Sequence, residues 1–186
     1  MGQETRLAGR MVRLIYETHS TSADNEAGVA SGHNDPDLSA VGEEQAAELG
    51  QRRELDDIAA VYCSDLLRAR RTAEIAFGGR AVPIIADARL RECDFGQMNG
   101  FPAAEVHAAA PAHVAEPFPS GESYGDVVVR VGAFLDDVRA KHSGETIIMV
   151  AHRAPHHALE HLLNGCALAD LVMEPWDWQP GWEYEA

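Results

Sequence analysis

Long apolar runs are missing from this chain. The strongest one toward its C-terminal end, Ile147 to Ala151, is five residues, against the roughly 20 needed to cross a bilayer. No apolar segment opens the chain as a secretory signal would. Cysteine is scarce too: Cys63, Cys93 and Cys166 are odd in number and have no paired spacing. A disulfide framework is therefore not expected, and a reduced, cytoplasmic protein with free thiols is. Cys63 and Cys93 read as small core residues rather than nucleophiles. Basic residues are few, 15 against 30 acidic, for a net charge of −15. Such a balance argues against nucleic acid and anionic membranes as partners. It also means that any anionic substrate needs a local cluster of cationic or donor groups. There is no internal repeat and no low-complexity segment.

What is present fits one globular domain over residues 1–186, with 46% hydrophobic residues. Met1 to Gly9 carry no pattern and are expected to fray. Strand and helix patterns alternate. Met11 to Glu17 reads as a strand, and Ser39 to Arg52 as a helix with Ser39 as its N-cap. Ala59 to Ser64 is a short strand, and Leu66 to Phe77 a helix closed by Gly78-Gly79. Ala81 to Ala86 is a strand that Pro83 places at an edge or a start. A less regular stretch, Asp87 to Gly121, carries Pro102, Pro111, Pro117 and Pro119. Ser123 to Lys141 is a long helix opened by a capping box of Ser123 and Asp126. Glu145 to Ala151 has the continuous apolar character of a strand in the middle of a parallel sheet. Pro155 to Asn164 is a helix with Gly165 just past its end, and Trp182-Glu183-Tyr184 suits a final edge strand. This alternation predicts an α/β fold, a three-layer α/β/α sandwich with a mostly parallel central sheet. Ligands bind such sheets at the carboxyl ends of the strands, and His19, Ser64 and His152 each fall at or just after such an end.

Four segments carry the chemistry. The first is Thr18-His19-Ser20-Thr21-Ser22-Ala23-Asp24-Asn25, followed by Leu38-Ser39-Ala40-Val41-Gly42-Glu43-Glu44-Gln45-Ala46. The second is Ser64-Asp65-Leu66-Leu67-Arg68-Ala69-Arg70-Arg71-Thr72-Ala73. The third is Leu90-Arg91-Glu92-Cys93-Asp94-Phe95-Gly96, and the fourth Ile147-Ile148-Met149-Val150-Ala151-His152. Pro119-Ser120-Gly121-Glu122-Ser123 precedes the long helix. Together they resemble the histidine phosphatase superfamily, the phosphoglycerate-mutase-like fold, from about Met11 to Asn164. The Arg68 segment is the most specific match.

The resemblance implies a metal-independent phosphomonoesterase acting on a small-molecule phosphate ester. His19 would be the nucleophile that forms a phosphohistidine. Arg68 would bind the phosphate with its planar fork of donors. Glu92 would protonate the leaving alcohol, with Asp94 as runner-up. His152 would hold the phosphoryl group as charge develops. Asn25, Ser22 and Thr18 fall on the substrate-binding side. No cofactor and no metal are implied. Thr18 departs from the family pattern, which has an arginine there, and Ser20 stands where it has glycine. Arg153, in place of the usual glycine after His152, is the expected substitute clamp.

The alternative is a catalytically altered member that binds a phosphorylated or other small ligand, or does other chemistry on the same scaffold. A mutase is disfavoured by the compactness of the chain. A zinc site among His152, His156, His157 and His161 is also disfavoured, since the spacing lacks the His-Glu-x-x-His form. A pocket roof is expected from the loop Ala27 to Asp37 and from Asp87 to Gly121, which carries the aromatic and imidazole groups Phe95, Phe101, His107, His113 and Phe118. Trp176, Trp178 and Trp182 are expected to seal the core, and a monomer or homodimer is expected.

Overall fold

The computed structural model describes residues 11–186, so the expectation for Met1 to Gly9 lies outside the described residues. In chain order the elements are β1 (Arg13–Thr18), α1 (Ala23–Glu26), β2 (Val29–Ala30), α2 (Ala40–Arg52) and β3 (Ala60–Cys63). Then come α3 (Leu67–Phe77), β4 (Ile84–Ala86), β5 (Phe101–Pro102), α4 (Ala103–Ala109) and α5 (Tyr124–Lys141). The chain closes with β6 (Thr146–Ala151), α6 (Arg153–Asn164), α7 (Leu168–Leu171) and β7 (Trp182–Glu185).

The main sheet has the order β4-β3-β6-β1-β7. Its first four strands are parallel and β7 runs antiparallel to β1 at the edge. The run Ile147 to Ala151 is fully buried in the central strand, as its unbroken apolar character predicts. Alternation along the strands then assigns the two faces. Leu14, Tyr16, Ile147 and Met149 pack with Val127, Phe134 and Leu159 of α5 and α6. Ile15, Val61, Cys63, Ile148 and Val150 pack with Leu49, Ala69, Ala73 and Phe77 of α2 and α3. Helices thus cover both faces, giving the three-layer α/β/α sandwich. Truncating a central residue such as Ile148 to alanine should cost about 2–5 kcal/mol. Among the described residues no helix is long and apolar enough to cross a membrane.

Local signals explain most element ends. Ser39 accepts from the Gly42 amide at 3.2 Å, and Ser123 and Asp126 form both halves of a capping box. Gly165 closes α6 with a φ of 73°, the left-handed conformation that glycine adopts at least cost. Pro83 precedes the edge strand β4, and its carbonyl accepts from the Val61 amide at 2.9 Å. Gly78 caps α3 directly after Phe77, as expected, in a right-handed conformation. One expectation needs correction. The stretch Asp87 to Gly121 is more regular than its prolines suggest, because it contains β5, α4 and three short 3-10 turns. β5 pairs with β2 in a separate two-stranded ribbon.

Candidate active site

The parallel strands β1 and β6 end side by side, with Thr18 opposite Ala151. The His19 amide donates to the Ala151 carbonyl at 2.9 Å. The Tyr16 hydroxyl donates to the His152 carbonyl at 2.7 Å. These two bonds hold both strand exits in place and bring the His19 and His152 rings to a centroid separation of 4.9 Å.

The tautomer of His19 follows from its partner. Nδ1 lies 2.7 Å from the Ser20 carbonyl, an acceptor only, so the proton sits on Nδ1 and Nε2 keeps its lone pair. Burial, then the Arg68 charge, lowers the His19 pKa to about 3, so the ring is neutral at neutral pH. His152 is 1% exposed, and neither ring nitrogen has a hydrogen-bond partner among the described residues. Burial, followed by the Arg68 and His19 charges, pushes its pKa well down. A buried donor without a partner costs about 1–3 kcal/mol, so an acceptor such as a phosphoryl oxygen would be bound strongly there.

Arg68 lies in the first turn of α3 and is 2% exposed. Its Nη1 and Nη2 donate to the carbonyls of Asn34 and Gly32, each at 2.9 Å. These bonds fix the fork while leaving further N–H donors for a ligand. Thr72, one turn on, bonds the Arg68 carbonyl at 2.7 Å and accepts from the Ser20 amide at 2.9 Å. The arginine helix and the His19 loop are thereby braced together. A similar brace explains the Gly42-x-x-Gln45 spacing. A Cβ on Gly42 would lie 2.0 Å from the Thr21 carbonyl. Gln45 Oε1 accepts from the Thr21 amide and hydroxyl at 3.0 and 2.9 Å.

These groups open onto one cavity of about 640 Å³. Of the residues expected at the site, it is lined by Thr18, His19, Asn25, Arg68, His152 and Arg153. Ser22 is a correction. It is fully buried, caps α1, and shares a capping box with Asn25 instead of facing the cavity. Because Asn25 Oδ1 accepts from Ser22 at 3.0 Å, the amide nitrogen of Asn25 is its free end. Glu92 is not on the cavity wall either. Its Oε1 accepts from the Cys93 and Ala154 amides at 2.9 and 3.0 Å, at the N-terminus of α6 directly after His152. Asp94 bonds Gly96 and Asn99 and so braces its own turn.

Arg153 lines the cavity, but none of its hydrogen bonds reaches the His19 loop. It donates to the Glu174 carbonyl and to His157 Nε2, lies 3.5 Å from a His107 nitrogen, and sits over the Trp176 ring at 5.8 Å. These contacts hold it on the cavity wall beside His107, His157 and Trp176. Sequence reasoning also missed Glu17, a cavity residue only 3% exposed. Arg52 bonds its carboxylate at 3.1 Å and Arg53 does so at 2.9 and 2.8 Å. An acid inside an apolar strand was the available signal, since a buried charge needs partners. Of the expected roof, Val29, Ala30 and Ser31 of the first loop and Ala103 and His107 of the second line the cavity, whereas Phe95 and Phe118 are core residues and Phe101 is exposed. Trp176 and Trp178 line it as well, which corrects the expectation that they seal the core; Trp182 does pack there. Among the histidines of α6, His161 bonds the Cys166 carbonyl at 2.8 Å while His157 meets Arg153, so the two are not turned to a common ion.

Comparison with known proteins agrees with this geometry. The family model of the histidine phosphatase superfamily (branch 1) matches residues 18–177. Phosphoserine phosphatase 1 of Hydrogenobacter thermophilus is 34% identical, over 86% of this chain and 79% of its own length. The solved structure of YhfR from Bacillus stearothermophilus superposes with a TM-score of 0.79 at 29% identity, covering 91% of this chain and 88% of that one. A mycobacterial glucosyl-3-phosphoglycerate phosphatase in complex with VO3 gives 0.76 at 26% identity, covering 86% and 85%. With its paired histidines and buried arginine at the carboxyl end of a parallel sheet, the chain belongs to the histidine phosphatase superfamily.

Proposed function

We propose that the protein is a phosphomonoesterase that hydrolyses a small-molecule phosphate ester through a phosphohistidine on His19. One observation carries the reading. His19 presents an unprotonated Nε2 beside His152, whose buried ring lacks a partner, in a cavity that Arg68 also lines. The Nε2 lone pair forms the N–P bond as the P–O bond to the alcohol breaks, and the departing oxygen takes a proton from Glu92. A water, deprotonated by Glu92, then attacks phosphorus, the N–P bond breaks, and phosphate leaves. Arg68 and His152 bear the charge on the phosphoryl oxygens. Glu92 does not itself line the cavity, but its carboxylate bonds the Ala154 amide two residues after His152, and it suits the acid role better than the acids on the wall. Glu17 is locked between Arg52 and Arg53, and Glu48 is exposed on α2.

Thr18 supports a second reading, a member that binds a phosphorylated ligand without turning it over. The missing arginine removes a charged hydrogen bond, which in general contributes about 1.5–3 kcal/mol. Hydrolysis of a panel of phosphate monoesters with chelator present, wild type beside His19→Ala, separates the two. Phosphate release by the wild type alone supports the phosphatase. Binding without release by either protein supports the second reading.

A further inference from the structure

The cavity wall carries side chains to which the phosphoryl chemistry gives no role. They are His107 of α4, Arg153 at the start of α6, and Trp176 and Trp178 of the segment joining α7 to β7. Trp176 is already occupied. The Arg153 guanidinium lies over it, and His156 and Trp182 pack against it at ring-centroid distances of 5.4 Å each. Trp178 differs. It is 57% exposed, lines the cavity, and has no ring or cation partner among the described residues. Arg153 is unusual as well. Most arginines of the described residues pair with a carboxylate, but Arg68, Arg80 and Arg153 form no ion pair, and two of these three line this cavity. At about 640 Å³ the cavity is in the range that encloses a ring-bearing ligand, with more room than a three-carbon phosphate fills.

We infer that this wall selects the alcohol half of the substrate. The geometry points to a phosphate ester whose alcohol carries a planar aromatic or heteroaromatic ring, stacked on Trp178 with His107 and Arg153 at its edge. An indole offers a rigid face with only two side-chain torsions to fix, and stacking on it tolerates any planar ring. Arg153, hydrogen-bonded to neutral groups only, can turn a donor toward ring heteroatoms without leaving a carboxylate unpaired. The inference rests on the phosphatase reading for the position of the phosphate, but its test does not need turnover.

The test is equilibrium binding of phenyl phosphate and glycerol 2-phosphate to the His19→Ala protein, followed by tryptophan fluorescence and calorimetry. Phenyl phosphate should bind at least about tenfold more tightly. Trp178→Ala in the same background should erase that preference and leave glycerol 2-phosphate binding unchanged, while Trp178→Phe should retain most of it. Equal binding of the two esters, or a preference that survives Trp178→Ala, overturns the ring subsite and leaves the phosphatase reading standing. Binding of neither ester overturns both.

Discussion

His19, Arg68 and His152 line the cavity from two adjacent strand exits and the first turn of a helix. Bonds to the Ala151 carbonyl and through the Tyr16 and Thr72 hydroxyls hold that frame. His107, Arg153, Trp176 and Trp178 line the same cavity from a seven-residue helix, a helix start and an irregular segment. Trp176 and Arg153 also pack on α6 and its neighbours, whereas His107 and Trp178 are exposed. On the proposed reading the contrast follows from the tasks. Phosphoryl transfer depends on position and charge, so its groups are fixed on the most buried elements. Choice of alcohol depends on a surface that can be rebuilt without disturbing the sheet.

The contrast has an energetic side that acid should expose. His19, His152, His156 and His157 are all held neutral, chiefly by burial, with pKa values lowered from 6.5. Between the lowered folded value and 6.5 the unfolded chain binds the extra protons. Stability is therefore complete above about pH 6.5 and is lost as pH falls below it. Each such histidine adds a slope of up to about 1.4 kcal/mol per pH unit. The melting temperature should drop steeply between pH 7 and pH 5. A flat profile there would show that these rings are not buried as described.

Variants of His19, Arg68 and His152 should change kcat by larger factors than variants of His107, Arg153, Trp176 and Trp178. Arg68→Lys keeps the charge but loses the fork that bonds Gly32 and Asn34. It should lower kcat about 10²-fold. A rise in KM alone would put Arg68 on the wrong side of the comparison. Thr18→Arg sharpens it from the opposite direction. Thr18 lines the cavity, so an arginine there can reach the phosphate. A gain of about tenfold in kcat/KM is expected from one restored charged hydrogen bond. No gain would mean that other groups already saturate the phosphoryl oxygens.

How much was legible in the sequence follows the same division. His19 and His152 could be placed because strand ends converge by topology, and Arg68 because its segment resembles the family's most specific motif. The Gly42-Gln45 spacing is a local packing rule that leaves a sequence trace. Ser22 misled because Ser-x-x-Asn is also the spacing of a capping box, and the helix won the hydroxyl. The wall around Trp178 was illegible because nothing local sends that residue to the cavity that His19 lines. That neighbourhood exists only once β7 has folded against β1. Glu17 was hidden likewise, since its two arginines come from the end of α2.

The central claim is that His19 Nε2 becomes covalently phosphorylated. Rapid acid-free quenching during turnover of a phosphate monoester, followed by intact-mass and peptide mapping, tests it most directly. The account predicts one phosphate on His19, labile in acid and stable in base, and none in His19→Ala. Turnover with no phosphate on His19 at any quench time, or with the label on another residue, would contradict it.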